Sequence, residues 1–372
     1  MTKPGARFLS LDVFRGLTVC LMIVVNTAGP GAKAYTQLVH APWFGFTAAD
    51  VVFPSFLFAV GCSMAFAFSR PVPLDAFLTK VVKRAALIFL LGFLMYWFPF
   101  VRQVDGYWGL IPFSGTRVMG VLQRIALCYL LAALAVRWLS PRLLIGLSAL
   151  LLLGYWAILM ALGDPAAPLS KLGNVGTHLD LLLIGRDHLY KKDGGFDPEG
   201  LLGTLPATVN VLAGYLAARL LRETPEARKA SLRLVLIGAG LVVAALAWSL
   251  GFPIAKKLWT GSFVLLTVGI DFLALAMLTL MLEGKSGNAG ARFFEVFGLN
   301  PLVIYLFSEL FVVVLGMIQV APGVGFYEWV GVHVFQAVAP GALGSLLCAV
   351  AYMLVCWLLG YVMYRRGIVV KL

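Results

Sequence analysis

Apolar runs of transmembrane length recur along this chain, and nothing else narrows its folding options as much. They lie at about 9–28, 49–68, 81–100, 118–138, 143–162, 201–221, 232–250, 262–282, 299–318 and 343–364. A helix needs about 20 apolar residues to cross a bilayer. In lipid each segment must satisfy its own backbone polar groups, and no run shows the apolar–polar alternation of a barrel strand. The expected fold is therefore all-α: a polytopic membrane bundle of about ten helices, with residues 1–372 forming one transmembrane domain. Composition agrees, since 61% of residues are hydrophobic and 12% charged, with mean hydropathy +0.94. A soluble domain carries about 25% charged residues. The stretch 320–342, punctuated by Gly and Pro, reads as a re-entrant or surface loop, with an eleventh short span as the alternative.

The net charge of +12 is informative through its placement. One set of loops holds Lys3, Arg7, Arg70, Lys80, Lys83, Arg84, Arg137, Arg142, Arg219, Arg222, Arg228, Lys229, Arg233, Lys285, Arg292, Arg365, Arg366 and Lys371. The opposite set has only Lys33, Arg102, Arg117, Lys171, Arg186, Lys191, Lys192, Lys256 and Lys257. Cytoplasmic loops carry the excess of Lys and Arg. Both termini are therefore expected in the cytoplasm of a multi-pass inner-membrane protein, with the bilayer rather than nucleic acid as the basic partner. Lys3, Arg7 and Arg15 ahead of an apolar run imitate a signal peptide, but Asp12 favours a retained first helix. Cys20, Cys62, Cys128, Cys348 and Cys356 all fall in apolar runs without Cys-x-x-Cys spacing, which points to buried thiols and to no metal.

Chemistry concentrates at the lip of the second span, in TQLVHAPWFGFTAADVVFPSFLFAVG, Thr36 to Gly61. His40 lies where water is expected to meet the membrane, on the outer side, and histidine is the side chain suited to taking and giving a proton in such a place. It can serve as a base or a nucleophile, or simply hydrogen-bond a loop. Asn26, ending the first span on the same side, can orient the imidazole or donate to a developing oxyanion. Asp50 can fix the imidazole tautomer or cap the second helix.

Ionisable residues inside spans mark function or a compensating partner. Arg124 either pairs with Asp271 or Glu309 or faces a polar cavity. Asp12 and Arg15 read as a local pair. The longest polar stretch, 163–200, is expected to be a loop without regular structure on the outer face. Its Asp180, Asp187, Asp197 and Glu199 form an acidic rim suited to a cationic or hydroxyl-rich acceptor. Singly, Asp197 and Glu199 read as acids at a helix entry. Lys256 and Lys257, beside Trp259, can grip an anion or form a snorkelling belt. Asn300-Pro301 reads as a helix start.

His40 to Pro54, in the pattern His-Ala-x-Trp-x-Gly-x-Thr-x-Ala-Asp-x-Val-Phe-Pro, resembles the signature of the heparan-α-glucosaminide N-acetyltransferase family. SLDVFRGLTVCLMIVVN (Ser10–Asn26), Leu122-Gln123-Arg124, GRDHLY, FDPEGLLGT and Lys256-Lys257-Leu258-Trp259 are similar to other family blocks. So is Gly298-Leu299-Asn300, although Pro301 departs from the pattern. The likeness runs from Ser10 to about Leu310 and fades beyond. It implies transfer of acetyl from cytoplasmic acetyl-CoA to the amine of an amino sugar on the far side, with no metal. The luminal domain of the animal enzymes is expected to be missing and the protein to be a homodimer. Catalytic roles then fall to His40, Asn26 and Asp50, and donor contacts to Arg124, Gln123, Lys256, Lys257 and Trp259. Acceptor contacts fall to Trp43, Asp180, His188, Asp197, Glu199 and Asn300. A transporter using Arg124, Asp271 and Glu309 is the rival class, and an envelope-glycan O-acetyltransferase a variant of the first.

Reporter fusions after Met160 and at the C-terminus should report opposite compartments, the latter cytoplasmic. A periplasmic C-terminus would overturn the ten-span reading.

Overall fold

The computed structural model describes residues 8–70, 72–104, 107–283 and 289–370. Lys3, Arg7, Lys285 and Lys371, used above for orientation, lie outside the described residues. The chain is helical: α1 Leu9–Asn26, α2 Ala48–Ala67, α3 Leu74–Trp97, α4 Val121–Trp138, α5 Pro141–Leu162, α6 Val175–Leu183 and α7 Thr204–Glu223. There follow α8 Ala227–Ser249, α9 Gly261–Leu282, α10 Ala289–Leu299, α11 Pro301–Met317, the short α12 Phe326–Val330 and α13 Gln336–Val338, and α14 Ala342–Arg365.

Each of the ten apolar runs became a helix. Among the described residues eight helices are long and apolar enough to cross a membrane, or nine if α10 and α11, which meet at 78°, make one broken span. The remaining run is α3, which starts earlier than its apolar stretch suggests and carries Lys80, Lys83 and Arg84 in its first half. Strands are confined to two surface hairpins, β1 Val101–Val104 with β2 Tyr107–Leu110 and β3 Gln319–Ala321 with β4 Val324–Gly325. The stretch 320–342 is thus a hairpin followed by α12, a π turn and α13. The 163–200 segment corrects the expectation of a structureless loop. It holds α6, capped by Asn174, whose Oδ1 accepts from Thr177 N at 2.9 Å.

Without a hydrophobic force between helices in lipid, close packing depends on small residues that let backbones approach. Gly61 of α2 lies against Val211 O of α7, and Gly214 of α7 lies reciprocally against Phe58 O. Gly16 of α1 and Gly298 of α10 make a second such crossing, against Phe294 O and Asp12 O. Around the buried α1, α2, α7 and α9, helices α5 and α8 turn leucines such as Leu150, Leu153, Leu236 and Leu246 outward, as lipid-facing helices do.

The long-range bonds sort the connections into two ends. At one, Ser10 bonds Glu283, Arg137 bonds Val72 O and Arg222 bonds Ala65 O; this is the end of the basic loops. At the other, Asn26 meets Glu309, Gly29 N donates to Ser345 O, and Tyr155 Oη donates to Leu258 O. His40 belongs to this second end.

A Cβ added at Gly61 would sit 1.9 Å from Val211 O, a contact backbone cannot yield. Gly61→Ala should lower stability by about 1–3 kcal/mol, as overpacking does. Thermal denaturation in detergent checks this, with the exposed Gly146→Ala, which meets nothing within 4 Å, as the neutral control.

Candidate active site

His40 hangs in the connection between α1 and α2, its side chain 39% exposed. What fixes it is Asp50, in the first turn of α2 and fully buried. Asp50 Oδ1 lies 2.9 Å from His40 Nδ1, while Oδ2 accepts from Ala41 N at 3.2 Å and from Thr47 N at 3.0 Å. Thr47 Oγ1 lies a further 3.0 Å away. The two sequence readings of Asp50, cap and tautomer-setter, therefore hold together in one carboxylate. An imidazole donating from Nδ1 keeps its lone pair on Nε2. That atom is the nucleophilic or basic one.

Lys256, from the α8–α9 connection, sets its Nζ 2.9 Å from Nε2, 3.0 Å from Nδ1 and 4.0 Å from Asp50 Oδ1. Its side chain is only 13% exposed. Burial lowers its ammonium to about 8; Glu199 and Asp50 oppose that shift, while Lys257 and Arg124 reinforce it. The connection is tightly held, because Thr260 Oγ1 accepts from Ala255 N and Tyr155 Oη reaches Leu258 O. Trp259 sits at φ +55°, a left-handed conformation that costs a bulky residue energy. Its Nε1 donates to Asn210 Oδ1, and Phe53 and Phe263 meet its ring edge-on.

Behind Trp259 lies Arg124, its guanidinium 5.0 Å above the indole and its Nη2 donating to Gly200 O at 2.8 Å. The ion pair with Asp271 or Glu309 does not form. Asp271 takes Ser55 and Glu309 takes Asn26, so the three charges are not one intramembrane set. Arg124 Nε and Nη1 and both amide atoms of Gln123 are buried with no partner among the described residues. Buried polar groups are normally bonded, and these four atoms depart from that rule.

Two of the four rim acids are already paired. Arg117 holds Asp197 through Nε at 3.1 Å and Nη2 at 2.5 Å and reaches Glu199 at 2.5 Å, with Tyr190 under its guanidinium at 4.6 Å. Burial alone would raise Glu199, but Arg117 holds it below its ordinary range. The expected acidic rim is thus largely a structural knot, since Asp197 also accepts from Tyr190 N and Glu199 N. Asp180 accepts from Leu201 N and is pushed up by burial to about 6. His188 Nδ1 pins the segment to Thr116 O, and Trp43 Nε1 donates to Leu169 O. Lys257 is taken by Asp193, which Lys171 shares, so the basic pair divides and only Lys256 faces His40.

A cavity of about 550 Å³ opens at the basic end. Arg15, Lys80 and Arg84 supply its charge, Phe56, Ile88, Leu91 and Ile125 its apolar wall, and Leu122 its inner limit, next to Gln123 and Arg124. Asn300 lines this cavity and ties Ile368 O and Val370 N, at the opposite end from His40. Sequence reasoning treated Lys80 and Arg84 only as orientation charges. Their i,i+4 spacing on α3 was the available signal. Arg15 does meet Asp12, at 3.4 Å, but also Gly298 O and Ser63 Oγ. Among the described residues no group of three or more His, Cys, Asp or Glu could hold a metal.

Residues 7–251 match the family described as "Heparan-alpha-glucosaminide N-acetyltransferase, catalytic". The chain is 29% identical over 365 residues to the human protein named heparan-alpha-glucosaminide N-acetyltransferase. It is 28% identical over 360 residues to the mouse protein of that name. Each comparison covers 82% of this chain and 53% of the relative, so the chain spans about half the length of these relatives.

Arg117→Ala should leave two buried carboxylates side by side. Breaking a buried pair typically costs about 3–5 kcal/mol. Thermal melting should fall accordingly, and adding Asp197→Asn with Glu199→Gln should recover part of the loss.

Proposed function

Because the chain belongs to the heparan-alpha-glucosaminide N-acetyltransferase family, we propose that it is a transmembrane acetyltransferase with acetyl-CoA as donor and the amine of an amino sugar as acceptor. The donor enters from the cytoplasmic, basic end and the acceptor meets His40 on the outer side. Ten membrane-spanning segments and two cytoplasmic termini fit this arrangement. The observation that carries the reading is the Asp50–His40 pair, an imidazole with its tautomer set and its Nε2 at the outer mouth, within the family match.

The cavity supports the donor side. Arg15, Lys80 and Arg84 suit the phosphates of coenzyme A, and the apolar wall suits its pantetheine arm. Past Leu122, the unpartnered atoms of Gln123 and Arg124 offer donors to the amides or thioester oxygen of that arm. Lys256, Trp259 and Arg124 then bridge from the cavity's inner limit to His40.

The chemistry follows from the tautomer. Nε2 attacks the thioester carbon, the C–S bond breaks, and coenzyme A leaves as thiolate. The charge on the acetylated imidazole is countered by Asp50, which keeps Nδ1–H. The acceptor nitrogen then attacks the same carbon, forming the amide as the C–Nε2 bond breaks. Asn26, bonded to Glu309, stands at the end of α1 on this face and can contact the acceptor or the oxyanion.

Purified protein should acetylate an amino sugar such as glucosamine from acetyl-CoA. His40→Ala should lower that rate by at least about 10²–10⁴-fold while still binding acetyl-CoA at the far end of the path. A folded, CoA-binding His40→Ala protein with near wild-type transfer would overturn the assignment. Acetylation of sugars at hydroxyl but not amine positions would move the acceptor class to glycan hydroxyls.

A further inference from the structure

We propose that Lys256 is the proton acceptor of this site, taking the proton that the acceptor's nitrogen sheds as acetyl passes to it from His40. The inference rests on the acetyl-histidine route proposed above and adds a residue that this route requires.

The need for a second base comes from His40 itself. Once Nε2 carries the acetyl group its lone pair is committed, and Nδ1 is held as a donor to Asp50. Until the C–Nε2 bond breaks, the imidazole can take no proton, so the attacking amine needs another base at that stage. An amine that attacks the acetyl carbon becomes positively charged and must lose a proton. Asp50 is filled by His40, Ala41 N and both donors of Thr47. Asp197 and Glu199 are tied to Arg117, Asp193 to Lys171 and Lys257, and Glu309 to Asn26. Lys256 is different. Among the described residues it is the titratable side chain whose tip lies 2.9 Å from Nε2, where the amide bond forms.

Its surroundings suit the task. The groups facing it are His40 and Asp50 at the head of α2, Glu199 from the outer segment, Lys257 beside it and Arg124 from α4. Burial dominates and brings Lys256 to about 8, so the neutral amine is available near physiological pH. A lysine on its flexible stem can withdraw to admit the acetyl group and still reach the incoming nitrogen. Trp259, just beyond it, is locked by Asn210 and by two aromatic rings, which keeps the base of that stem in place.

The step balances. The amine lone pair forms the new N–C bond, the C–Nε2 bond breaks, and its electron pair returns to Nε2. One N–H bond of the amine gives its proton to the Nζ lone pair. The products are the amide, neutral His40 with Nδ1–H, and a Lys256 ammonium that solvent can discharge. The one positive charge moves from the acetylated imidazole to Lys256.

Two assays separate this role from others. Exchange of labelled coenzyme A into acetyl-CoA reports acetylation of His40 alone; net transfer to glucosamine reports both halves. Lys256→Met should retain exchange, because Nε2 is then uncovered, and lose transfer by about 10²–10⁴-fold. In the wild type, kcat should rise with pH through about 8, since the neutral amine is the active form. In Lys256→Met that limb should vanish, whereas a limb belonging to the acceptor amine would persist. Aminoethylation of Lys256→Cys, which restores an amine at nearly the same reach, should recover transfer. Wild-type transfer rates in Lys256→Met would overturn the proposal. Equal losses in both assays would also overturn it and make Lys256 a structural or donor-binding residue. Transfer without exchange in the wild type would overturn the acetyl-histidine route, and the Lys256 role with it.

Discussion

Everything at the outer face depends on one buried carboxylate. Asp50 joins the first turn of α2 to the loop before it, through Thr47 and Ala41, and its remaining capacity goes to His40. A helix leaves its first N–H groups without internal partners, so an acid in the first turn is favoured there on its own account. Here the acid that closes the helix entry also holds the imidazole. Structure and chemistry meet at this residue, because one oxygen of the carboxylate closes the helix entry and the other holds the imidazole.

Charge is handled in a comparable way throughout the outer segment. Arg117, inserted between Tyr96 and Tyr190, ties Asp197 and Glu199 into the entry of α7, and Lys171 with Lys257 encloses Asp193. These pairs join three of the basic residues of this face to Asp193, Asp197 and Glu199. Lys256 is the cation they leave for His40, and its burial makes it a weaker acid-holder than an exposed lysine. Local pairs thus settle Arg117, Lys171 and Lys257 away from His40, while Lys256 stays beside it.

Polar groups are also buried between the two ends of the bundle. Leu122 lines the cavity at the basic end, and its chain neighbours Gln123 and Arg124 are buried, Arg124 against Trp259. Unpartnered amide and guanidinium atoms in a lipid-embedded core are costly. Their persistence beside a cavity fits a site whose partners arrive with a ligand, and it explains why Arg124 has no carboxylate of its own.

Amino-acid order by itself determined the membrane-length helices. Ten apolar runs had to become helices because a bilayer offers backbone groups no other partner, and asymmetric Lys and Arg placement distinguishes the two ends. It also singled out His40 and Asp50, since an imidazole and a carboxylate beside a long apolar run are rare enough to read locally. Tertiary structure alone decided which charges meet. Arg124 chose Gly200 O and Trp259 over Asp271 and Glu309, and Asn300 went to the opposite end from His40. The outer acids turned inward to Arg117, and Lys80, Arg84 and Arg15 gathered at one cavity from α3 and α1. The period of a helix is legible in one segment, whereas an ion pair between residues 80 or 200 positions apart depends on how helices cross. Those crossings are set by glycine contacts such as Gly61 with Val211, whose partners no local pattern names.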